Sequence, residues 1–350
     1  MALKVIVVGL GARGREWARA VAADPGFELA AGVEPDEGAR LRAAAETGLA
    51  APRLFGELGE ALEGAECDAV VVVTPADRHV AACEAAIERG RAVLVEKPFA
   101  TRLADAARVV RLAEARGVPV VVGQNYRYMR AFRAVRRLVR EGALGRVGQV
   151  VCHYWRVPHE MAPWLAGMEH SVLWGMGVHH LDALRHALGR RVTGVAAESF
   201  TAGGGGLPEG ASLRALLDFE GGARATYTAS YESSGHEFFE RGQEFYLRLT
   251  GERATLHVFH RWLVLCERGR WPRPVRRGPR GVGEERELLG QLARAVLRGE
   301  EPDAGGRDNL QTMAVVEACL RSSAERRRVN PQELLAELEE PAAETVGAER

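Results

Sequence analysis

Cysteine is scarce in this sequence, and long apolar runs are missing from it. Five cysteines occur in 350 residues, and no two stand at Cys-x-x-Cys spacing. The sequence therefore predicts neither a disulfide framework nor a cysteine metal site, and we expect reduced thiols in a cytoplasmic protein. No apolar run approaches the length of a transmembrane helix. Residues 3–10 are too short for a signal sequence and lead directly into a glycine motif, so we expect a buried strand there.

An excess of charge of one sign is also missing, because 47 Lys and Arg residues balance 47 Asp and Glu residues. We therefore expect no general attraction to nucleic acid or to a membrane surface. Lysine itself is nearly absent, since only Lys4 and Lys97 occur and all other residues in the basic count are arginine. A lysine that persists in such a chain points to a position where arginine will not serve. Lys4 lies near the terminus and needs no such explanation.

The first part of the chain alternates short apolar runs with helical patterns, which is typical of a parallel sheet with crossover helices. Predicted strands cover residues 5–8, 27–33, 68–74, 92–95 and 118–122. Predicted helices cover residues 14–23, 36–46, 79–89 and 101–116. Thr101 is the expected N-cap of the last of these helices. We assign residues 1–124 to an α/β domain.

After residue 124 the pattern changes to strands separated by glycine turns, with helices on either side. Predicted strands cover residues 147–157, 195–200, 213–219, 223–231, 245–250, 254–258 and 262–266. Predicted helices cover residues 129–140, 176–188, 285–298 and 308–327. We expect residues 125–330 to form an α+β domain with a large, mostly antiparallel sheet. Residues 331–350 are expected to be a charged C-terminal tail.

A glycine motif lies between the first predicted strand and the first predicted helix, and it reads Gly9-Leu10-Gly11-Ala12-Arg13-Gly14. In a Gly-x-Gly-x-x-Gly motif the first glycine permits a tight turn, the second lets the backbone approach a pyrophosphate, and the third lets the helix pack closely on the strand. The helix N-terminus adds unpaired N–H groups and a positive dipole end. This context predicts a Rossmann domain, and the alternative is a glycine turn without a ligand.

Glu34 follows the second predicted strand, 20 residues after Gly14. An acid at this position accepts hydrogen bonds from the adenosine ribose of a dinucleotide. It would also repel the 2′-phosphate of NADP, so we predict NAD as the cofactor, with NADP less favoured.

Several further motifs resemble those of the glucose-fructose oxidoreductase / inositol dehydrogenase / MocA (GFO/IDH/MocA) family. They are Thr74-Pro75 with His79, Glu96-Lys97-Pro98, Asn125-Tyr126-Arg127-Tyr128, Gly142-Ala143-Leu144-Gly145, and Gly177-Val178-His179-His180-Leu181-Asp182. The resemblance covers residues 3–325, nearly the whole chain. It implies an NAD(P)-dependent oxidoreductase that acts on one carbon of a sugar, an inositol or a related hydroxy compound.

The resemblance also implies roles for individual residues. Lys97 and His179 match the catalytic pair, with Lys97 near the nicotinamide and His179 handling the proton of the substrate hydroxyl. The implied cofactor-binding residues are Gly9, Gly11, Ala12, Arg13, Gly14, Glu34, Thr74, Pro75, His79, Glu96 and Lys97. The implied substrate-binding residues are Lys97, Arg127, His179 and Asp182.

The chemistry of an alcohol oxidation favours a functional role for Lys97. A positioned base must take the hydroxyl proton, and a buried lysine can do this because its pKa is lowered. Arginine cannot, because it is not deprotonated in proteins. The alternative is that Lys97 is paired with Glu96 in a turn.

His179 and Asp182 share a helical face with His186. We expect Asp182 to orient His179 or to fix the helix, and His180 and His186 to be surface residues. The alternatives are that His179 only packs the helix, or that His179, Asp182 and His186 bind a metal ion. We predict no metal, because the resembled family is not metal-dependent.

The chain departs from the resembled family at Gly175, where many members have an aspartate that assists proton transfer. Three interpretations stay open: Lys97 and His179 suffice, Glu169 or His170 substitutes for the missing acid, or the protein binds NAD without turning over a sugar. The last would make it a non-catalytic regulator. A reductase of an imine, an enone or a dihydrodiol-type substrate is a further alternative.

Other side chains are candidates for a polar, aromatic-walled pocket, and Arg127 is the best of them. The set is Tyr126, Arg127, His153, Trp155, Arg156, His159 and Trp164. Residues 268–283 carry six arginines and could bind a phosphate or a partner, but a solvated loop is the favoured interpretation. Alternating residues Ala225, Tyr227, Ala229 and Tyr231 predict one apolar sheet face. By resemblance such sheets pair between subunits, which implies a homodimer or homotetramer.

Overall fold

The computed structural model describes residues 2–156, 167–203, 207–233, 243–259, 262–278 and 281–338. Among the predicted pocket residues, His159 and Trp164 lie outside these ranges, as does Arg280 of the arginine-rich segment.

Six parallel strands form the first sheet, in the order β3-β2-β1-β4-β5-β6. The strands are β1 (Leu3–Val8), β2 (Phe27–Val33), β3 (Leu54–Phe55), β4 (Ala69–Val72), β5 (Ala92–Val95) and β6 (Val120–Val122). Five helices connect them: α1 (Ala12–Ala22), α2 (Glu37–Thr47), α3 (Leu58–Gly64), α4 (His79–Glu88) and α5 (Leu103–Arg116). This is the predicted Rossmann topology. In such a sheet the ligand crevice lies beyond the carboxyl ends of β1 and β4, where the strand order reverses.

The apolar runs of the first sheet explain its position in the middle of the domain. Every residue of β4 and of β5 is buried, because helices cover both faces of a parallel sheet. Two elements were not predicted, β3 and α3. A strand of two residues and a helix of seven are too short to show a clear period.

One predicted cap is wrong. Helix α5 begins at Leu103, its N-cap residue is Arg102, and no side chain caps it. Thr101 therefore lies one residue before the cap position.

Eight strands form the second sheet, in the order β14-β13-β12-β11-β7-β10-β9-β8. They are β7 (Val147–Arg156), β8 (Val192–Phe200), β9 (Ser212–Phe219), β10 (Arg224–Ser230), β11 (Gln243–Gly251), β12 (Ala254–Phe259), β13 (Trp262–Glu267) and β14 (Arg273–Pro274). Neighbouring strands are antiparallel except β7 and β10, which are parallel. The sheet is thus mixed but mostly antiparallel, as predicted. The short strand β14 lies in the segment that was predicted to be a loop.

The described part of the second half also contains five helices. They are α6 (Arg130–Arg140), α7 (Val178–Leu188), α8 (Glu284–Arg298), α9 (Gly306–Glu325) and α10 (Pro331–Glu337). Helix α9 packs on β8, whereas α8 returns to the first sheet and packs on β5 and β6. The chain therefore closes back on its own N-terminal half.

The predicted charged tail begins too early in the sequence. Asn330 caps helix α10 by accepting a hydrogen bond from the N–H of Gln332, and Pro331 and Leu334 are buried. Helix α10 packs on α9 and β8, so residues 331–338 belong to the folded structure. The residues after 338 lie outside the described ranges.

The two faces of the second sheet differ in their surroundings. The alternating residues Ala225, Tyr227, Ala229 and Tyr231 are all buried. They face helices of the same chain, because the Tyr227 hydroxyl lies 2.9 Å from Nδ1 of His180 on α7. The opposite face carries large exposed apolar side chains, among them Trp155, Leu216 and Trp262.

Among the described residues, no helix has the length and apolar composition needed to cross a membrane. All five cysteines are free thiols, four of them buried and Cys266 half-buried.

A buried ionic network joins three elements near the middle of the molecule. Arg127, in the 3₁₀ turn Asn125–Tyr128, donates two hydrogen bonds of 2.6 Å to the carboxylate of Asp182 on α7. The side chains of Arg127 and Asp182 are 1% and 0% exposed. Arg127 also pairs with Asp308 of α9, and the hydroxyl of Thr312 donates to Asp182 at 2.8 Å. The network holds α7, and with it His179, against the rest of the chain.

We expect Asp182→Ala to lower the free energy of unfolding by about 3–5 kcal/mol, because it leaves the Arg127 charge buried without its main partner. Denaturant unfolding of the purified protein measures this. Glu300→Ala is the matched control, since Glu300 pairs with Arg298 on the surface, and little change is expected there. If both variants lost the same small amount of stability, the network would not have this structural role.

Candidate active site

The glycine motif forms a tight loop between β1 and α1. Gly9 has a positive φ of 87°, and a Cβ atom there would lie 2.6 Å from the carbonyl oxygen of Val73. A Cβ atom on Gly14 would lie 1.7 Å from the carbonyl oxygen of Gly9. Both positions therefore require glycine, because the loop, the strand end and the helix touch through their backbones.

The space beside the loop fits the pyrophosphate of a dinucleotide. A Cβ atom on Gly11 would meet nothing within 4 Å, so the backbone is open to a ligand on that side. Gly11 is the N-cap residue of α1 and offers no side-chain cap to the N–H groups of the first turn. Those groups, which include that of Ala12, can bind phosphate oxygens, and the helix dipole favours negative charge there.

Glu34 lies directly after β2 and bonds to the same loop. Its carboxylate accepts a hydrogen bond of 2.9 Å from the N–H of Leu10 and one of 3.2 Å from the N–H of Asp36. The acid thus stands at the edge of the crevice, where the ribose of a dinucleotide would lie. Arg40 is nearby and donates to the carbonyl oxygens of Glu34 and Pro35.

Thr74 and Pro75 follow β4 and lie against the glycine loop. A Cβ atom on Gly9 would be 2.9 Å from the nitrogen of Thr74. The hydroxyl of Thr74 is buried and has no hydrogen-bond partner among the described residues. A buried hydroxyl without a partner is costly, so this atom is a suitable donor or acceptor for a bound cofactor.

The side chain of His79, a predicted cofactor ligand, is engaged by the protein itself. One ring nitrogen lies 2.8 Å from the carbonyl oxygen of Thr74 and the other lies 2.8 Å from that of Pro98. The residue is 1% exposed, and burial lowers its pKa. His79 therefore joins the segments after β4 and β5 and does not itself face the crevice.

Glu96 is a buried carboxylate that ties α1 to the end of β5. It accepts hydrogen bonds from Nε of Arg13 at 2.7 Å, from Nε1 of Trp17 at 2.8 Å, and from the N–H of Lys97 at 3.0 Å. Arg13 also pairs with Glu16 and Glu285 through its Nη1 atom. The Glu96 carboxylate thus orients the segment that carries Lys97.

The lysine side chain extends away from Glu96. Its Nζ atom donates a hydrogen bond of 2.9 Å to the carbonyl oxygen of Gly175, and Glu96 contacts only the backbone N–H of Lys97. The alternative of a side-chain ion pair between Lys97 and Glu96 is therefore wrong. Burial lowers the pKa of Lys97, and the Arg13 charge lowers it further, while Glu96 opposes the shift.

His179 stands one helical turn after Gly175. A π-helical turn, Leu173–Gly177, precedes α7, and such turns are frequent at functional sites. The imidazole stacks on the ring of Tyr126, with centroids 4.3 Å apart and an angle of 14° between the planes. Its Nδ1 atom has no hydrogen-bond partner among the described residues. Burial and the nearby charge of Lys97 hold the pKa of His179 well below its ordinary value, so the ring is neutral.

Asp182 does not orient His179. It lies on the same helix, but both carboxylate oxygens bond to Arg127 in the buried network described above. His186 lies 2.8 Å from a carboxylate oxygen of Asp303. Two of the three side chains of the alternative metal site, Asp182 and His186, are thus engaged by other partners.

The remaining pocket candidates separate into two groups. His153 and Trp155 point to the exposed face of the second sheet, where His153 contacts Glu244 and Tyr246. Tyr126 lies at the site. Burial raises the pKa of Tyr126, and the positive charge of Arg156 opposes the shift, which places Arg156 near the same ring.

Three features of the site were missed in the sequence. The acceptor for Lys97 is the backbone carbonyl of Gly175, and a backbone acceptor leaves no signal in the sequence. The contact between Trp17 and Glu96 could have been predicted, because Trp17 stands one helical turn after Arg13 and therefore lies on the same face of α1. His180 was expected at the surface, but it is buried against Tyr227.

The sequence matches two known family models. One, described as an oxidoreductase family with an NAD-binding Rossmann fold, matches residues 3–124, and the other, the GFO/IDH/MocA C-terminal domain, matches residues 132–257. D-apiose dehydrogenase of Paraburkholderia graminis is 29% identical over an alignment of 367 positions, gaps included. The alignment covers 99% of this chain and 94% of that protein. Inositol 2-dehydrogenase 2 of Saccharopolyspora erythraea is 30% identical over 332 residues, and the match covers 93% of this chain and 94% of that protein.

A solved structure shares the fold along almost the whole chain. It is an oxidoreductase from Agrobacterium radiobacter in complex with NAD⁺, L-tartaric acid and magnesium, with a TM-score of 0.85 at 24% identity. The match covers 95% of this chain and 100% of that one. Together with the two family models, these matches show that the chain belongs to the GFO/IDH/MocA family of NAD(P)-dependent oxidoreductases.

Proposed function

We propose that this protein is an NAD-dependent dehydrogenase that oxidises one hydroxyl-bearing carbon of a sugar, an inositol or a related polyol. The observation that carries the proposal is the position of Lys97, whose amino group lies 2.9 Å from the carbonyl oxygen of Gly175 beside His179. When bound, the nicotinamide would accept the hydride. The side chains of this chain must then remove the hydroxyl proton.

Lys97 is the base in this proposal. Its lowered pKa makes the neutral amine accessible, and the Gly175 carbonyl accepts a hydrogen bond from it without adding a negative charge. A carboxylate at that position would favour the protonated ammonium. The glycine that departs from the family pattern therefore leaves more of Lys97 in the neutral form that can accept a proton.

His179 binds and orients the substrate hydroxyl. Its ring is neutral and held flat against Tyr126, and Nδ1 is available for a hydrogen bond. Both residues offer polar atoms on aromatic surfaces, which suits a polyol with apolar C–H faces and hydroxyl edges. The relatives named above act on D-apiose and on inositol, which supports the same class of substrate here.

Glu34 supports NAD over NADP. Its carboxylate at the edge of the glycine loop would accept a hydrogen bond from a ribose hydroxyl and would repel a 2′-phosphate. The free thiols fit a reducing compartment such as the cytoplasm.

A second candidate function follows from Gly175. With no acid beside His179 at that position, the site has fewer groups to handle a proton, which suits a reductase of an imine, an enone or a dihydrodiol-type substrate. The absence of an acid at position 175 also suits a regulator that binds NAD(H) and a sugar without turnover. The buried Lys97 argues against this alternative.

We also propose a homodimer or homotetramer. The exposed face of the second sheet carries Trp155 and Trp262, which are 46% and 68% exposed, and Leu216, which is 56% exposed. Single exposed apolar side chains are ordinary, but several on one flat sheet face favour a second protein surface against them.

We expect Lys97→Arg to retain NADH binding and to lower the rate of NADH formation by roughly 10²–10⁴-fold, because arginine cannot accept the proton. The assay mixes the protein with NAD⁺ or NADP⁺ and pooled sugars, inositols and sugar acids, and follows absorbance. Lys4→Arg is the matched control, since the other lysine pairs with Glu66 at the surface, and it should keep full activity. Full activity of Lys97→Arg would exclude Lys97 as the base. No turnover with any pool, together with tight NADH binding, would favour the second candidates.

The pH dependence of kcat/KM follows from the protonation states of Lys97 and His179. The active form has neutral Lys97, so kcat/KM should rise with pH and level off at an apparent pKa below the ordinary lysine value of 10.5. The pKa of His179 is lowered well below 6.5, so its protonation should cause no inflection near that pH. A steady-state pH profile tests this. An inflection near 6.5 that disappears in His179→Gln would contradict the buried, neutral histidine.

For the oligomer, we expect light scattering at micromolar protein to give at least twice the monomer mass, and Leu216→Glu to reduce it. Leu41→Glu is the control, because Leu41 is similarly exposed, at 62%, on helix α2 of the first domain. A monomeric wild-type protein would argue against sheet-to-sheet pairing.

A further inference from the structure

Helix α6 presents a row of arginines that the catalytic site does not use. Its eleven residues include Arg130, Arg133, Arg136, Arg137 and Arg140 and no acid. The last four follow i, i+3, i+4, i+7 spacing and share one helical face, while Phe132, Val135 and Leu138 are buried on the other. The arginine-rich segment after β13 adjoins this face, because Arg137 and Arg130 donate to the carbonyl oxygens of Arg276 and Gly278.

The four arginines of the shared face, Arg133, Arg136, Arg137 and Arg140, line a groove of about 620 Å³, which we call the arginine groove. Its lining residues are Arg127, Tyr128, Arg133, Arg136, Arg137, Arg140, Glu141, His186 and Asp303. We propose that the arginine groove binds a small molecule with two or more phosphate groups, at a site separate from the cofactor crevice.

The carboxylates around the groove pair with Arg127, Arg133 and Arg136, but among the described residues no ion pair neutralises Arg137 or Arg140. Asp303 lies 2.8 Å from His186 and 3.0 Å from the hydroxyl of Tyr128, whereas Arg136 is 3.6 Å away. Glu287 is shared, 3.3 Å from Arg133 and 3.5 Å from Arg294. Glu141 is the other acid in the lining.

The bond that holds Arg137 also leaves its charge in place. Its guanidinium donates to the backbone carbonyl of Arg276, which orients it but carries no negative charge. The positive potential of the groove is therefore available to a ligand, although the net charge of the whole chain is zero.

The exposed donors of the groove belong to Arg137 and Arg140. Both residues are exposed and line the groove, so their guanidinium groups can contact the oxygen atoms of a ligand there. The Nη1 atom of Arg136, by contrast, is shielded from solvent and has no hydrogen-bond partner among the described residues. The surrounding arginines could complete bidentate contacts to further phosphate oxygens.

The shape of the groove favours a small ligand over a nucleic acid strand. Its volume lies within the range of small-molecule sites, and Tyr128 is the only phenylalanine, tyrosine or tryptophan among its lining residues. Binding of a single strand usually relies on several aromatic rings that stack on successive bases. The groove also shares no lining residue with the glycine loop or with Glu34.

The test is isothermal titration of the full-length protein with inorganic tripolyphosphate at constant ionic strength, first alone and then with NADH at saturation. We expect one binding event that persists with NADH. Arg137→Gln combined with Arg140→Gln should weaken it by about tenfold or more, since both charge-assisted contacts are lost. The control, Arg224→Gln with Arg298→Gln, removes two exposed arginines elsewhere and should change nothing.

Replacement of Arg137 and Arg140 by lysine separates geometric recognition of phosphate by the guanidinium from attraction by positive charge alone. Lysine keeps the charge but loses the bidentate fork, so binding should fall between wild type and the glutamine variant. No binding, or loss of binding once NADH is bound, would overturn the proposal, as the second result would place the phosphates in the cofactor crevice. Equal weakening in the control, or tighter binding of a single-stranded oligonucleotide than of tripolyphosphate, would also overturn it.

Discussion

The carboxylate of Glu96 determines where the lysine at the centre of the site can lie. It is buried at the end of β5, and its oxygens accept hydrogen bonds from Arg13, Trp17 and the backbone of Lys97. A buried carboxylate is stable only with such partners, so these contacts fix α1, which follows the glycine loop, relative to Lys97. The glycine loop and Lys97 are thereby positioned by one charge.

The side-chain contacts of Lys97 and His179 depend on the second half of the chain. Lys97 reaches across to the backbone of Gly175, and His179 is held by the stack on Tyr126. Helix α7 is in turn anchored through Asp182 and Arg127, with α9 behind them. Asp182 and Arg127 therefore hold α7, and with it His179, in place, and both carboxylate oxygens of Asp182 are already bonded within the protein.

Arginine serves three different physical purposes in this chain. Arg127 is buried with two carboxylate partners and supports the fold. Arg13 links the cofactor loop to Glu96 and Glu285. Arg130 and Arg137 of α6 donate to backbone carbonyls and, among the described residues, keep their positive charges unpaired. Composition alone does not distinguish these purposes, because the difference lies in which acceptors the fold brings within reach.

The sequence by itself determined the Rossmann sheet, the glycine loop with Glu34, and the mostly antiparallel second sheet. Local period and turn chemistry carry that information, and continuous apolar runs such as Ala69–Val72, alternating with helical patterns, are typical of a parallel sheet covered on both faces. Short elements such as β3 and α3 carry too few residues for such a signal. Tertiary structure alone decided the partners of polar side chains: Asp182 bonds to Arg127, His79 bonds to two carbonyls, and Lys97 bonds to Gly175. The contacts of Asp182 and Lys97 join segments 55 and 78 residues apart in the chain, and burial leaves each polar atom only the partners that the folded chain places beside it.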